Sequence, residues 1–261
     1  MVKIGIIGGS GIASLDFLES PKRIKKHTPY GPTSDLVTIG KLSGVDVVVI
    51  PRHGDNHHIM PSLVNFRANI WTMKDLGVTH ILATSACGSL REEIKPGHLV
   101  FPDQFIDRTT KRIQTFYEGL EFCHIAMSDP FCQNLRKILG ESADRLKIAS
   151  HKAGTVITIE GPRFSTKAES KIFRQWNADI INMSTVPEVV LAREAEICYA
   201  VIALSTDYDC WHESEKAVSW EMIVARMKEF SGNFKRLVLE AIPKITAADC
   251  SCRHALKGAL V

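Results

Sequence analysis

Short apolar runs that break off into glycine or polar clusters recur along the whole chain, and helical periodicity fills the intervals between them. Residues 2–8, 45–50, 80–84, 155–160, 179–183 and 199–205 read as strands of this kind, with 36–39 and 99–105 as further ones. The stretch Val47-Val48-Val49-Ile50 is apolar at consecutive positions, the pattern of a strand covered on both faces. Between the runs, Ser62 is expected to cap a helix carrying Leu63, Phe66, Ile70 and Met73 on one face, with Gly77 at its end. A helix over about 129–146 follows. Thr166 and Glu169 form a capping box that opens another, to about Trp176. Pro187 starts a fourth. Ser219 caps the last, whose stripe is Ile223, Met227, Phe230, Phe234 and Leu237, and Pro243 stops it. Alternation of strand and helix predicts an α/β fold around a largely parallel sheet. No Pro/Ser-rich linker or internal repeat divides the chain, so we read one domain over 1–246 and a dispensable tail over 247–261.

The chain has 261 residues, 45% hydrophobic and 23% charged, enough for a substantial core. Its formal net charge is +3 and the basic residues are interleaved with acidic ones, so no nucleic-acid footprint stands out. No apolar stretch is long enough to span a bilayer. The opening residues, one lysine and then a glycine-broken run, lack the pattern of a secretory leader, and the expected location is the cytoplasm. Of seven cysteines, Cys87, Cys123, Cys132, Cys198 and Cys210 are dispersed and read as small buried hydrophobes. Cys250 and Cys252 flank Ser251 in the tail; by themselves they allow a strained disulfide, a redox pair or two free thiols. Zinc-type Cys-x-x-Cys spacing is missing, so no metal is expected.

In α/β folds ligands bind beyond the carboxyl ends of strands. Ile4 to Gly11 (Ile-Gly-Ile-Ile-Gly-Gly-Ser-Gly) is a strand running into a glycine loop whose bare N–H groups suit a phosphate, with Ser10 adding a hydroxyl. Arg52-His53-Gly54 follows the strand at 45–50 and supplies a planar cationic fork and an imidazole. Ser85-Ala86-Cys87-Gly88-Ser89 is a small-residue run that leaves backbone N–H groups open to an anion. Glu160-Gly161-Pro162-Arg163-Phe164 is a tight turn ending in an aromatic ring suited to stacking. Thr206-Asp207-Tyr208-Asp209 delivers two carboxylates at alternate positions, on one side of an extended segment. The histidines 53, 57 and 58 lack a carboxylate or thiol at ligand spacing.

These motifs, with Ala86 to Ile94, Asn182 to Glu188 and Thr206 to Trp211, occur in order from Lys3 to about Ile245. Together they resemble the 5′-methylthioadenosine phosphorylases of the trimeric purine nucleoside phosphorylase superfamily. The resemblance implies a single α/β domain with a mixed, mostly parallel, twisted and partly barrel-like sheet flanked by helices. It implies phosphorolysis of methylthioadenosine to adenine and 5-methylthioribose 1-phosphate, with inorganic phosphate as co-substrate, no cofactor, and a homotrimer or dimer of trimers. Ser10, Arg52, His53, Ser85, Ala86 and Ser184 fall on its phosphate positions. Met183 falls on the ribose position, Phe164 on the base-stacking one, and Asp207 and Asp209 on the purine-recognition ones. His124 matches a residue that reaches a neighbouring subunit's site. Val218 and Ile223, with Trp220, are expected to receive the 5′ group. The Cys-x-Cys tail is similar to that of heat-adapted relatives, which implies Cys250–Cys252 and Cys132–Cys198 bridges.

Chemistry sharpens these roles. Adenine leaves as a neutral base once N7 is protonated, and a buried Asp207, shielded by Phe164 and Trp211, is the expected acid. An ionised Asp209 only accepts hydrogen bonds, which suits the 6-amino group of adenine over a 6-oxopurine; adenosine stays open as a co-substrate. The alternative is a broader phosphorylase acting also on inosine and guanosine. A dinucleotide oxidoreductase fits less well, because the opening glycines do not follow Gly-x-Gly-x-x-Gly spacing. A nucleoside hydrolase leaves Arg52 and the serines unexplained, and a non-catalytic nucleoside-binding protein leaves Asp207 unexplained.

Overall fold

The computed structural model describes residues 1–8, 18–213, 219–247 and 249–261. Ser10 and Val218 lie outside the described residues. The strands and helices in chain order are β1 (Lys3–Gly8), β2 (Glu19–Ile24), β3 (His27–Thr28), β4 (Gly31–Pro32), β5 (Val37–Leu42), β6 (Val45–Pro51), α1 (Phe66–Asp75), β7 (His80–Ser89), β8 (Leu99–Val100), β9 (Gln104–Arg108), α2 (Gln133–Leu146), β10 (Ser150–His151), β11 (Thr155–Ile159), α3 (Lys167–Gln175), β12 (Ile180–Asn182), α4 (Thr185–Glu194), β13 (Cys198–Asp207) and α5 (Trp220–Ala241). The main sheet runs β10-β8-β13-β7-β1-β6-β5-β2 and branches at β7. β1 pairs parallel to β6 and β7, and β13 parallel to β7. The far end of β7, at Gly88 and Ser89, pairs antiparallel with β12, which carries β11 and then β9 in parallel.

Apolar runs without alternation produced this centre because both faces of the strands are covered. On β13, Ala200, Ile202 and Leu204 enter one core with Phe230, Phe234 and Leu237 of α5 and Leu135 and Leu139 of α2. Tyr199, Val201 and Ala203, one residue out of phase, enter the other with Ile70 and Met73 of α1 and Val189 of α4. The mixed, mostly parallel single-domain α/β fold expected from the sequence is the one observed.

Local signals held where the chemistry was local. The Thr166/Glu169 capping box opens α3 with both reciprocal bonds, and Ser219 caps α5 through Met222 N–H. Gly77 takes φ +74° just past α1. Elsewhere tertiary context moved the boundaries. Asn65, not Ser62, caps α1, because Pro61–Leu63 turns as a 3-10 segment first. The second helix begins at Gln133, after Cys132 as its N-cap, and not near 129. The run at 99–105 is two strands, parted at Pro102, which has no N–H for a ladder. β2 went unread because its Glu-Ser-Pro-Lys-Arg-Ile sequence lacks apolar alternation; it is an exposed edge strand, where proline and lysine belong. No described helix is long and apolar enough to cross a membrane.

The expected disulfides do not form. All seven cysteines are free thiols, and Cys132 Sγ lies 3.7 Å from Cys250 Sγ, well beyond a sulfur–sulfur bond of about 2.05 Å. The tail is packed down, with Cys252 and Ala259 buried and Cys252 in the core beside α2 and α5.

Candidate active site

A cavity of about 400 Å³ opens at the carboxyl ends of β6, β7, β12 and β13. That size suits a small-molecule ligand. Arg52, His53, Ser85, Ala86, Phe164, Met183, Ser184, Asp207, Asp209 and Ile223 all line it, so residues up to 171 positions apart (Arg52 to Ile223) converge as the sequence motifs implied. His124 does not line it. It is exposed, edge-on to the Phe122 ring at 5.3 Å, and its backbone N–H donates to Ala259 O at 2.8 Å.

The anion side is built around Arg52. β6 ends at Pro51, and Arg52 N–H donates to Gly8 O at 2.7 Å, which ties the end of β6 to the end of β1. The side chain is fully buried. Its Nε and Nη2 donate to the two carboxylate oxygens of Glu188 at 2.7 Å each, and Nη1 donates to Thr84 O at 2.9 Å. Tyr199 OH donates to the same Glu188 at 2.7 Å. One face of the planar fork is therefore taken by Glu188, and the remaining N–H groups are what Arg52 has to offer a ligand. Burial opposes the Arg52 charge, but Glu188 more than restores it, and the guanidinium pKa ends above its ordinary value.

Beside Arg52, Ser85 Oγ sits 2.9 Å from Ser184 Oγ and 3.0 Å from Asn182 Nδ2, which donates to it. Asn182 also donates to Thr185 Oγ1 at 2.8 Å and accepts from Thr158 Oγ1 at 3.0 Å. Ser184 is the N-cap of α4, and its hydroxyl makes no cap hydrogen bond. Val186 interrupts the helical geometry just beyond it (φ −102°, ψ 132°), so the regular helix begins only at Pro187.

His53 lines the cavity as a buried imidazole beside Arg52. Burial, with the Arg52 charge next to it, lowers its pKa to about 3, so the ring is neutral near pH 7. Its Nδ1 lies 2.8 Å from Ile59 O and must carry the proton to bond there, which leaves Nε2 as an acceptor. Such a ring meets an anion through a P–OH group, not by giving it a proton. His57 lies between His53 and Trp220, its ring tilted against each, with ring centroids 4.4 and 4.6 Å away.

The acid side is built at the end of β13. The register of β13 on β7 slips between Ser205 and Asp207, a bulge that re-aims the strand end. Asp207 pairs with Gly88, where an added Cβ would come within 3.0 Å of Asp207 Oδ1 and 3.2 Å of Asp209 Cβ. Glycine is therefore what lets the carboxylate approach the strand. Burial raises the Asp207 pKa to about 6, even though Thr206 Oγ1 and Asp209 N–H donate to it at 2.7 and 2.8 Å. Trp211 plays no part in that burial at the cavity wall: its Nε1 donates to Ser89 O, and Arg174 lies over its ring.

Asp207 and Asp209 share the cavity, but not through extended geometry. Asp209 has φ +50°, and its N–H bonds back to Asp207 as in an Asx turn. Ser165 Oγ lies 2.6 and 2.7 Å from the two oxygens of Asp209 and fixes that carboxylate.

Sequence reading missed Glu188, Tyr199, Asn182, Thr206 and Ser165. Glu188 had a signal: it is a carboxylate within Val186-Pro187-Glu188-Val189-Val190-Leu191, where every neighbour is apolar, and such a group needs a buried partner. Asn182 had none, since its partners lie on three separate segments.

Residues 3–243 match the model of the phosphorylase superfamily. The S-methyl-5′-thioadenosine phosphorylase of Xenopus tropicalis is 56% identical over 256 residues, covering 95% of this chain and 90% of that protein. That of Thermofilum pendens is 52% identical over 261 residues, covering 100% and 99%. Among solved structures, a mutant of the adenosine/methylthioadenosine phosphorylase from Schistosoma mansoni in complex with methylthioadenosine superposes with a TM-score of 0.91 at 41% identity, covering 95% of this chain and 93% of that one.

Proposed function

Because the chain belongs to the phosphorylase superfamily and, within it, to the S-methyl-5′-thioadenosine phosphorylases, we infer that it is a pentosyltransferase. It cleaves the glycosidic bond of 5′-methylthioadenosine with inorganic phosphate, giving adenine and 5-methylthioribose 1-phosphate, a purine salvage reaction. The observation that carries this reading is the pairing on β7: Ser85 marks the anion corner and Gly88 carries Asp207. Three residues of strand separate them by ~10 Å, the span of a nucleoside.

The residues divide the work accordingly. Arg52, Ser85, the Ala86 backbone, Ser184 and Ser10 hold phosphate, and His53 accepts its P–OH. Met183 lies against the ribose and Phe164 against the base. Asp207 gives its proton to N7 as the C1′–N9 bond breaks, so adenine leaves neutral. A phosphate oxygen forms the new bond to C1′ on the face away from the base, and its negative charge stabilises the oxocarbenium character of the sugar. Asp209, held by Ser165, accepts from the 6-amino group. Ile223 and Trp220 form the apolar end that takes the methylthio group, and Val218 is assigned to it by its sequence position alone. Phosphate is a co-substrate and the reaction uses no cofactor.

His124, exposed and away from its own cavity, fits a contribution to a neighbouring copy's site in a homotrimer or a dimer of trimers. Free thiols fit a reducing compartment, and we place the enzyme in the cytoplasm.

The test is phosphorolysis of methylthioadenosine, adenosine and inosine with and without orthophosphate. Cleavage of methylthioadenosine that stops without phosphate, with inosine poorly used, supports the reading. Equal rates without phosphate would point to a hydrolase, and equal use of inosine to a broad purine nucleoside phosphorylase.

A further inference from the structure

We propose that Cys132, Cys198, Cys250 and Cys252 form a four-thiolate site for a zinc-class divalent ion, which fastens the C-terminal segment to the domain. The four Sγ atoms all lie within 4.8 Å of one another, and Cys132 Sγ to Cys250 Sγ is 3.7 Å. A tetrahedral zinc with bonds of about 2.3 Å to sulfur sets its ligands about 3.8 Å apart. Free thiols thus already stand near the edges of that tetrahedron, at spacings far too long for sulfur–sulfur bonds.

The fold builds this cluster from three segments that local spacing could not connect. Cys132 is the N-cap of α2, and its N–H donates to Tyr199 O at 2.8 Å, which ties the helix start to β13. Cys198 is the first residue of β13. Cys250 and Cys252 flank Ser251 in the tail, where Cys252 is buried.

The surroundings also suit a charged site. Four thiolates around a divalent ion carry two net negative charges and need cationic neighbours and N–H donors. Arg193 Nη1 donates to Cys252 Sγ at 3.6 Å, and Cys132 sits at a helix N-terminus, where the thiolate form is favoured. Soft sulfur ligands in tetrahedral array select zinc over magnesium or calcium. Binding displaces the four thiol protons to solvent, so no oxidant or reductant enters.

A clamp here has a structural consequence. Beyond Cys252, the segment's end pairs with residues 122–124: Cys123 bridges Leu260, and Val261 N–H donates to Phe122 O at 3.1 Å. The ion would therefore hold in place the strand-like edge on which His124 stands.

The experiment takes the full chain purified under reductant and without chelator. Elemental analysis is expected to give one zinc per chain. Exchange for cobalt is expected to give the intense d–d and thiolate-to-cobalt charge-transfer bands of a tetrahedral sulfur site. Cys252→Ser should lose both; the less buried Cys250→Ser provides a second variant if that one fails to fold, and Cys123→Ser should keep both. A metal-free protein with all seven thiols titratable after unfolding overturns the proposal. So does loss of four titratable thiols to sulfur–sulfur bonds, or cobalt bands that persist in the Cys250 and Cys252 variants.

Discussion

Arg52 and Glu188 meet fork to fork in the interior, two parallel hydrogen bonds of 2.7 Å between side chains that are 2% and 0% exposed. The pair fixes which guanidinium N–H groups face the cavity. Glu188→Gln leaves the cation buried without its counter-charge, and loss of one partner of such a pair costs about 3–5 kcal/mol of stability. The melting temperature should fall and be partly restored by excess phosphate, whose binding supplies the missing charge. Calorimetry with and without phosphate checks it; an unchanged melting temperature would show the pair to be dispensable.

Asp207 makes activity and stability respond to pH in linked ways. Its carboxyl holds a proton up to about pH 6 when folded, against 3.8 ordinarily. The protonated form is the acid, so kcat/KM should fall tenfold per pH unit above about 6. Asp207→Asn should remove that limb and lower kcat by roughly 10²–10⁴. For stability the sign is the same: the folded chain binds the extra proton, so this group's contribution is full below 3.8 and is lost as pH rises through 6. The whole interval is worth about 3 kcal/mol. Asp207→Asn should therefore melt higher than the parent at pH 8 while turning over more slowly.

Gly88→Ala places a methyl against Asp207 Oδ1 at 3.0 Å and Ile181 Cγ2 at 3.1 Å. Overpacking of this kind costs about 1–3 kcal/mol. Because the displaced atom is the acid, activity should fall roughly tenfold or more, beyond what the stability loss explains. Steady-state kinetics on the folded variant, at a temperature well below its melting point, separates the two effects.

Trp220 caps the apolar end of the cavity, with its ring 4.6 Å from that of His57. Trp220→Leu should open that end to longer 5′-alkylthio groups. Each added methylene buried there is worth ~0.8 kcal/mol, roughly fourfold in kcat/KM. A series of alkylthio analogues measured on parent and variant decides it; identical chain-length profiles would place the 5′ group elsewhere.

The sequence by itself determined the α/β class, the doubly covered strand β6, the capping box of α3, and the motifs whose residues Arg52, Ser85, Ser184 and Asp207 line one cavity. The class and the caps follow from apolar periodicity and turn residues; Ser184 reaches Ser85 because β12 runs antiparallel to the far end of β7, within which Ser85 lies. Only the tertiary structure decided that Glu188, 136 residues away, occupies half of the Arg52 fork, or that His53 donates its Nδ1–H to Ile59 O and faces the cavity as an acceptor. It alone gathered Cys132, Cys198, Cys250 and Cys252 as four neighbouring free thiols, Cys132 and Cys250 being 118 positions apart. Such partnerships depend on angles and distances set by sheet twist and helix packing. No residue spacing along the chain records them, because the buried groups that must satisfy one another meet only after the layers close.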